Sequence, residues 1–413
     1  MRRILELDGI RAIAITAVMA CHYAAFSTML FKAPEFGWVG VELFFVLSGF
    51  LITTILLQLK HRPHPYKIFY LRRILRIFPP YFGLLLLILL IAELEHDSMQ
   101  WGRVVQSIFF LQSFSNTAHV FQSLMHTLSG AQQAPNLFGS VVLPRTVPGF
   151  PIGEFITSFS HTWSLSVEEW FYILWAPLVL RLNRRPLIWI CTGVCAAGFF
   201  MRWFGFLGVN SYFVFFSRID VLLGGALLAL WFDRRRELEL SKQKLWDGFI
   251  SVAATVCGML VLGILFVIKP VFGYEIRDSV LFSSVGLPLV GFAFAGWLSH
   301  VIRHAGTAGL GSSFLRLRPM VALGTVSYTL YLVHVPVYFL VTQASKALGV
   351  ATGAFRSALV VAIISTFASI LIARLSFRYF EMPILSYKDK LTERLVGSGQ
   401  AGELEVIEKV KAG

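Results

Sequence analysis

The run Asp8-Gly-Ile-Arg-Ala-Ile-Ala-Ile-Thr-Ala-Val-Met-Ala-Cys-His22 sets an arginine and a histidine eleven residues apart in an otherwise apolar stretch. At 3.6 residues per turn, Arg11 and His22 share one helix face, about 16 Å apart along the axis. Imidazole takes and gives protons near neutral pH, and guanidinium binds phosphate or carboxylate through two parallel bonds. A second basic pair, Arg73 and Arg76 in Tyr70-Leu-Arg-Arg-Ile-Leu-Arg-Ile-Phe-Pro-Pro80, is spaced by three and also shares a face. Two such groups suit a phosphate or pyrophosphate. They equally suit a positively charged flank held by lipid headgroups. Glu42, Glu168, Glu169, Arg218, Asp220 and His334 form a second polar set. Adjacent helical residues diverge by about 100°, so only one of Glu168 and Glu169 faces an interior well. Arg218 and Asp220 are two apart and cannot pair within a helix, so each needs a partner from another segment. Such an interior suits proton transfer to a substrate, and equally a proton-coupled transport path. For His22 and His334 the plain alternative is a hydrogen-bonded structural histidine.

These groups sit in segments that must cross hydrocarbon. The chain is 56% hydrophobic and only 14% charged, far below the roughly 25% charged residues of soluble globules. Spanning a ~30 Å core takes about 20 apolar residues. Ten stretches qualify, near 8–27, 38–59, 77–93, 163–180, 187–204, 211–232, 247–268, 280–300, 320–342 and 357–377. The apolar stretch 104–111 is too short and reads as interfacial. With the N-terminus in the cytoplasm, the cytoplasmic segments hold 25 of the 36 Lys and Arg, the outer segments 8, and the spans Arg11, Arg218 and Arg374. That asymmetry is the positive-inside pattern, with both termini cytoplasmic. It also accounts for the net charge of +13 without nucleic acid.

The expected fold is therefore an all-α integral membrane protein, about ten transmembrane helices in one bundle, multi-pass in a plasma (bacterial inner) membrane. A transmembrane domain covers 1–380, with a large outer segment at 94–161, and 381–413 forms a charged cytoplasmic tail. Arg2-Arg3 before an apolar run imitates a signal peptide, but Asp8 and Arg11 interrupt it, so the first span is expected to stay. Cys21, Cys191, Cys195 and Cys257 all fall in expected spans and read as small buried apolar groups, with no metal-ligand pattern. A Gly-x-Ser-x-Gly elbow and a phosphate-binding Gly-Lys-Ser/Thr loop are both absent from the sequence. Any chemistry is expected among the spans.

Six segments in order resemble the acyltransferase-3 family of membrane-embedded O-acyltransferases over roughly residues 5–380. They are Leu7-Asp-Gly-Ile-Arg-Ala12 with His22, Gly40-Val-Glu-Leu-Phe-Phe-Val-Leu-Ser-Gly-Phe-Leu51, Arg72-Arg-Ile-Leu-Arg-Ile-Phe-Pro-Pro-Tyr81, His161-Thr-Trp-Ser-Leu-Ser-Val-Glu-Glu-Trp-Phe-Tyr172, Arg218-Ile-Asp-Val-Leu-Leu-Gly-Gly225 and Ser327-Tyr-Thr-Leu-Tyr-Leu-Val-His-Val-Pro336. The family's Arg-ten residues-His pattern falls on Arg11 and His22, and its Arg-x-x-Arg pattern on Arg73 and Arg76. Position 42 is Glu where Asp is also common. Position 170 is Trp where Gln is frequent, and the outer segment before His161 is longer than in many members.

The resemblance implies transfer of an acyl group, usually acetyl, from cytoplasmic acyl-CoA to a hydroxyl of a carbohydrate-type acceptor, without a metal. On that reading Arg11, Arg73 and Arg76 bind the donor's phosphates, and His22 is the general base or an acyl carrier. Glu168 or Glu169 orients the imidazole or holds the sugar, with Glu42, Arg218, Asp220 and His334 as further acceptor contacts. Arg218 could also stabilise the oxyanion. The competing expectation is a proton-coupled transporter or flippase, against which stands the lack of an inverted repeat with paired broken helices.

Overall fold

A computed structural model describes residues 4–26, 37–94, 101–114, 159–203, 214–264, 282–349 and 355–387. The described residues are helical throughout their regular structure, with no strand among them. In chain order the helices are α1 (Leu5–Phe26), α2 (Val39–Leu59), α3 (Pro65–Leu94), α4 (Trp101–Ile108), α5 (Trp163–Arg181), α6 (Arg184–Trp203), α7 (Phe215–Arg235), α8 (Leu240–Gly263), α9 (Leu287–Arg303), α10 (Leu310–Leu315), α11 (Arg318–Thr325), α12 (Ser327–Ala347) and α13 (Phe355–Ser376). A 3-10 turn, Phe159–Thr162, leads into α5. Most of the large segment 94–161, and the tail from 388, lie outside the described residues.

Seven of the described helical stretches are long and apolar enough to cross a membrane: Val39–Leu59, Pro65–Ile91, Arg184–Trp203, Phe215–Arg235, Leu240–Gly263, Phe282–Arg303 and Arg356–Tyr387. An eighth results if α11 and α12, which meet at 74°, form one broken span. α1 and α5 match the two other expected spans but lie outside this set. α1 holds Glu6, Asp8 and Arg11, and α5 holds Glu168 and Glu169.

Two differences from the sequence pattern bear on the site. The third helix begins at Pro65 rather than near 77, so Arg72, Arg73 and Arg76 are helical, and Pro79 and Pro80 lie inside the helix. Proline removes a backbone donor and crowds the preceding turn, which membrane helices tolerate where neighbours supply hydrogen bonds. The carbonyls left without an i+4 donor are those of Leu75 and Arg76, and the adjacent carbonyl of Ile77 accepts a further bond from the Tyr328 hydroxyl, 2.9 Å away. The second difference is the break at Val326, which divides the ninth expected span into α11 and α12.

Buried charges decide which helices are neighbours. Arg218 on α7 pairs with Glu42 on α2, and neither side chain is solvent-accessible. Asp220, also on α7, pairs with Arg202 of α6 at 2.6 Å. Asp247 of α8 receives Arg235 of α7 at 2.7 Å and faces Arg303 of α9 at 3.7 Å. Glu6 at the start of α1 accepts from the Gly306 amide at 2.8 Å and Ser312 Oγ at 2.6 Å. The α2–α7 contact is also a backbone approach. A Cβ on Gly49 would lie 1.8 Å from the Leu222 carbonyl oxygen, and one on Gly225 would lie 2.0 Å from that of Val46. Small residues at such a crossing let dispersion replace the missing hydrophobic drive between helices in lipid.

Removing one member of the buried pair leaves an uncompensated charge at a cost of about 3–5 kcal/mol. Arg218→Met and Glu42→Gln should each lower the unfolding midpoint of detergent-purified protein sharply, and Arg218→Met/Glu42→Met should recover much of the loss. Equal losses in single and double variants would count against the pair as a clamp. Gly225→Val forces α2 and α7 apart and should cost about 1–3 kcal/mol or more by overpacking, read in the same thermal assay.

Candidate active site

α1, α2, α3, α5 and α12 line a cavity whose lining includes Arg11, Arg73, Arg76, Ser48, Glu168 and Tyr331. The centres of water-sized molecules have about 110 Å³ within it, several times the ~10–15 Å³ that one water needs. Arg11 is also bonded to Asp8 at 2.5 Å, one turn earlier on α1. The Arg73 guanidinium lies 4.1 Å over the Tyr172 ring, a cation–π contact. Arg73 Nε is buried without a hydrogen-bond partner among the described residues. Such a donor is costly unless something accepts from it.

Of the two adjacent acids, Glu168 lines this cavity. It accepts from Ser48 Oγ at 3.1 Å and from the Tyr172 hydroxyl. Glu169 is buried and not on the lining, within electrostatic reach of Tyr81, Tyr172 and Tyr328. Both acids therefore lie inside the bundle, Glu169 the more buried, and only Glu168 is on the cavity lining.

Histidines from three elements converge behind Tyr331. His22 Nδ1 of α1 lies 2.7 Å from His334 Nε2 of α12, with the rings stacked. His334 is fully buried, and its Nδ1 lies 2.7 Å from the carbonyl oxygen of Tyr331. His161, in the turn before α5, places Nε2 3.0 Å from that same oxygen. The His161 ring stands edge-on to His334 and to His22, at centroid distances of 5.2 and 6.2 Å. The side chain of Tyr331 lines the cavity, and its hydroxyl bonds Ser164 Oγ at 2.7 Å and donates to the His161 carbonyl. One residue thus belongs both to the cavity and to the histidine cluster. Among the described residues no group of three or more His, Cys, Asp or Glu is arranged to hold a metal ion.

The structure therefore brings Arg11, Arg73, Arg76 and Glu168 together around the cavity, and His22 together with His334. Glu42, Arg218 and Asp220 are engaged in the α2–α7 and α6–α7 pairs described above. His161, Tyr172, Ser48, Ser164 and Tyr331 join the site without having been singled out. All lie within or beside the matched segments, but their types are ordinary and His161 precedes its helix, where periodicity says nothing. Trp170, where glutamine is frequent, has a local role. Its Nε1 donates at 3.0 Å to the carbonyl of Phe110, which also accepts from Ser166 Oγ at 2.5 Å. Phe110 holds a positive φ of 52°, uncommon for an aromatic residue, and both donors fix that turn against α5.

Comparison with known proteins finds relatives along most of the chain. The peptidoglycan O-acetyltransferase OatA of Listeria monocytogenes is 27% identical over 395 residues, covering 92% of this chain and 55% of that protein. The O-acetyltransferase OatA of Staphylococcus aureus is 25% identical over 399 residues, covering 92% and 56%. The chain thus spans about half the length of the curated relatives it matches. No solved structure matches it. The family model described as an acyltransferase domain matches residues 4–374, nearly the whole described bundle, and the chain belongs to this acyltransferase-3 family.

Proposed function

We propose that this chain is a membrane O-acyltransferase that moves an acetyl group from acetyl-CoA to a hydroxyl of a cell-envelope carbohydrate. The observation that carries the reading is the cavity with three arginines on its lining and with Tyr331, the residue that holds two histidines, on the same lining. The names of the relatives point to peptidoglycan as the acceptor class. In this reading the bundle has ten spans in a bacterial inner membrane, α1 and α5 included, with both termini cytoplasmic and the arginines near the cytoplasmic side. The transporter alternative has no comparable support.

The donor set fits acyl-CoA. Guanidinium groups bind phosphate bidentately, and the buried Arg73 Nε offers a further donor. Arg11, Arg73 and Arg76 hold the phosphates, and the thin thioester-bearing arm enters between α2, α3 and α5. Ser48, Tyr172 and Glu168 supply hydrogen bonds along the way. His22 is the general base. It removes the proton of the acceptor hydroxyl as the oxygen attacks the thioester carbonyl. The new C–O bond forms, the C–S bond breaks, and the leaving thiolate takes up the proton from His22. Glu42, Arg218 and Asp220 hold the helices in register, leaving the acceptor's contacts to the histidine side.

His22→Ala should reduce acetyl transfer by about 10²–10⁴-fold, the usual worth of a positioned base, in protein that inserts and purifies normally. The assay is radiolabelled acetyl-CoA with muropeptides or other glycans, and a fully active variant would sink the proposal. Arg73→Gln and Arg76→Gln should each raise the KM for acetyl-CoA about tenfold or more, given about 1.5–3 kcal/mol per charge-assisted bond. Unchanged donor affinity in both would assign the pair to lipid headgroups instead.

A further inference from the structure

We infer that His334 is the positioning residue for His22: it sets which nitrogen of His22 carries the lone pair. This rests on the reading of His22 as the base. A carbonyl oxygen can only accept a hydrogen bond, so the 2.7 Å contact with the Tyr331 carbonyl requires a proton on His334 Nδ1. A neutral imidazole has one N–H, so His334 Nε2 then carries a lone pair and accepts. Its neighbour at 2.7 Å, His22 Nδ1, must be the donor. His22 is thereby fixed with its proton on Nδ1 and its basic lone pair on Nε2. The sequence of bonds runs from a backbone carbonyl through one imidazole to the next. When His22 takes the acceptor's proton on Nε2, its Nδ1–H still points at an acceptor, so the imidazolium is held by a charge-assisted bond.

The rest of the cluster keeps the first link in place. Tyr331 and His334 lie three residues apart on α12, so the carbonyl and the ring that uses it move as one body. His161 Nε2 approaches the same oxygen at 3.0 Å and, by the same rule, must also donate. Its ring stands edge-on to His334, which restricts rotation of that ring. The stacked rings of Tyr23 and Tyr338 pack beside the pair, with Tyr23 6.3 Å from His334. A mere packing role for His334 would be served by any side chain of its size. The tautomer role needs an acceptor at the position of Nε2.

The test compares His334→Leu with His334→Gln in the full-length protein in nanodiscs, with acetyl-CoA and a soluble glycan acceptor. Leucine fills the space without an acceptor, while the amide oxygen of glutamine can occupy the place of Nε2. Loss of the partner that orients a metal-ligating histidine costs about 10–100-fold, and a loss of that order is expected for this base. His334→Leu should lose that much in kcat with the KM for acetyl-CoA essentially unchanged, and His334→Gln should recover most of it. Wild-type kcat in His334→Leu, or no recovery in a folded His334→Gln, overturns the inference. If His334→Leu does not fold, nitrogen-15 spectra of histidine-labelled wild-type protein decide, the His22 signals being those lost in His22→Asn. A protonated Nδ1 and unprotonated Nε2 support the inference, and the opposite tautomer overturns it. Failure here with His22→Ala still inactive leaves the base assignment standing, whereas an active His22→Ala removes both.

Discussion

A charge carried into hydrocarbon must meet its opposite, and in this bundle that requirement arranges the helices. α7 bears Arg218 and Asp220, two residues apart and therefore aimed at different neighbours. Glu42 answers the first from α2 and Arg202 the second from α6, so α7 is held between those two helices. The glycine contacts at Gly49 and Gly225 then bring the backbones of α2 and α7 within reach of each other's carbonyls. With that side of α2 committed, Phe44, Ser48 and Leu51 turn toward α3 and α5 and line the cavity. The position of the cavity is thus a consequence of ion pairing elsewhere.

Tyr331 connects this scaffold to the histidines. It lies on the cavity lining, and its backbone oxygen receives two imidazoles. The bend at Val326 starts α12 at an angle of 74° to α11, which frees α12 to approach the turn that carries His161. The break that divides an expected span is in this sense part of the site.

Much of this was legible in the chain beforehand, and the omissions have physical causes. Every stretch expected to span contains a described helix, and apolar length alone marks eight of the ten when α11 and α12 are taken together, with α1 and α5 outside that set. The need of Arg218 and Asp220 for partners on other helices followed from their spacing, but which helices supply them is a tertiary fact that spacing cannot carry. The i, i+3 partner of Arg11, Asp8, lay within reach of the same spacing rule that grouped Arg73 with Arg76. The early start of α3 escaped notice because its first turns are polar and basic, and polarity hides helix from a hydropathy reading. His161 escaped because a single turn has no period. The expectation that Arg11 and His22 share a face leaves open that α2 and α12 present different surroundings to each, a cavity to one and an imidazole to the other.

The two tasks of Tyr331 are separable in a way that matters for the proposed chemistry. Its backbone oxygen is fixed by the helix, while its side chain turns about single bonds. Rotating the ring would break the hydroxyl's bonds to Ser164 and to the His161 carbonyl, each worth about 0.5–1.5 kcal/mol net. The carbonyl would meanwhile keep its hold on His334 and His161. The hold on His334 and His161 therefore does not depend on the rotamer of the Tyr331 side chain.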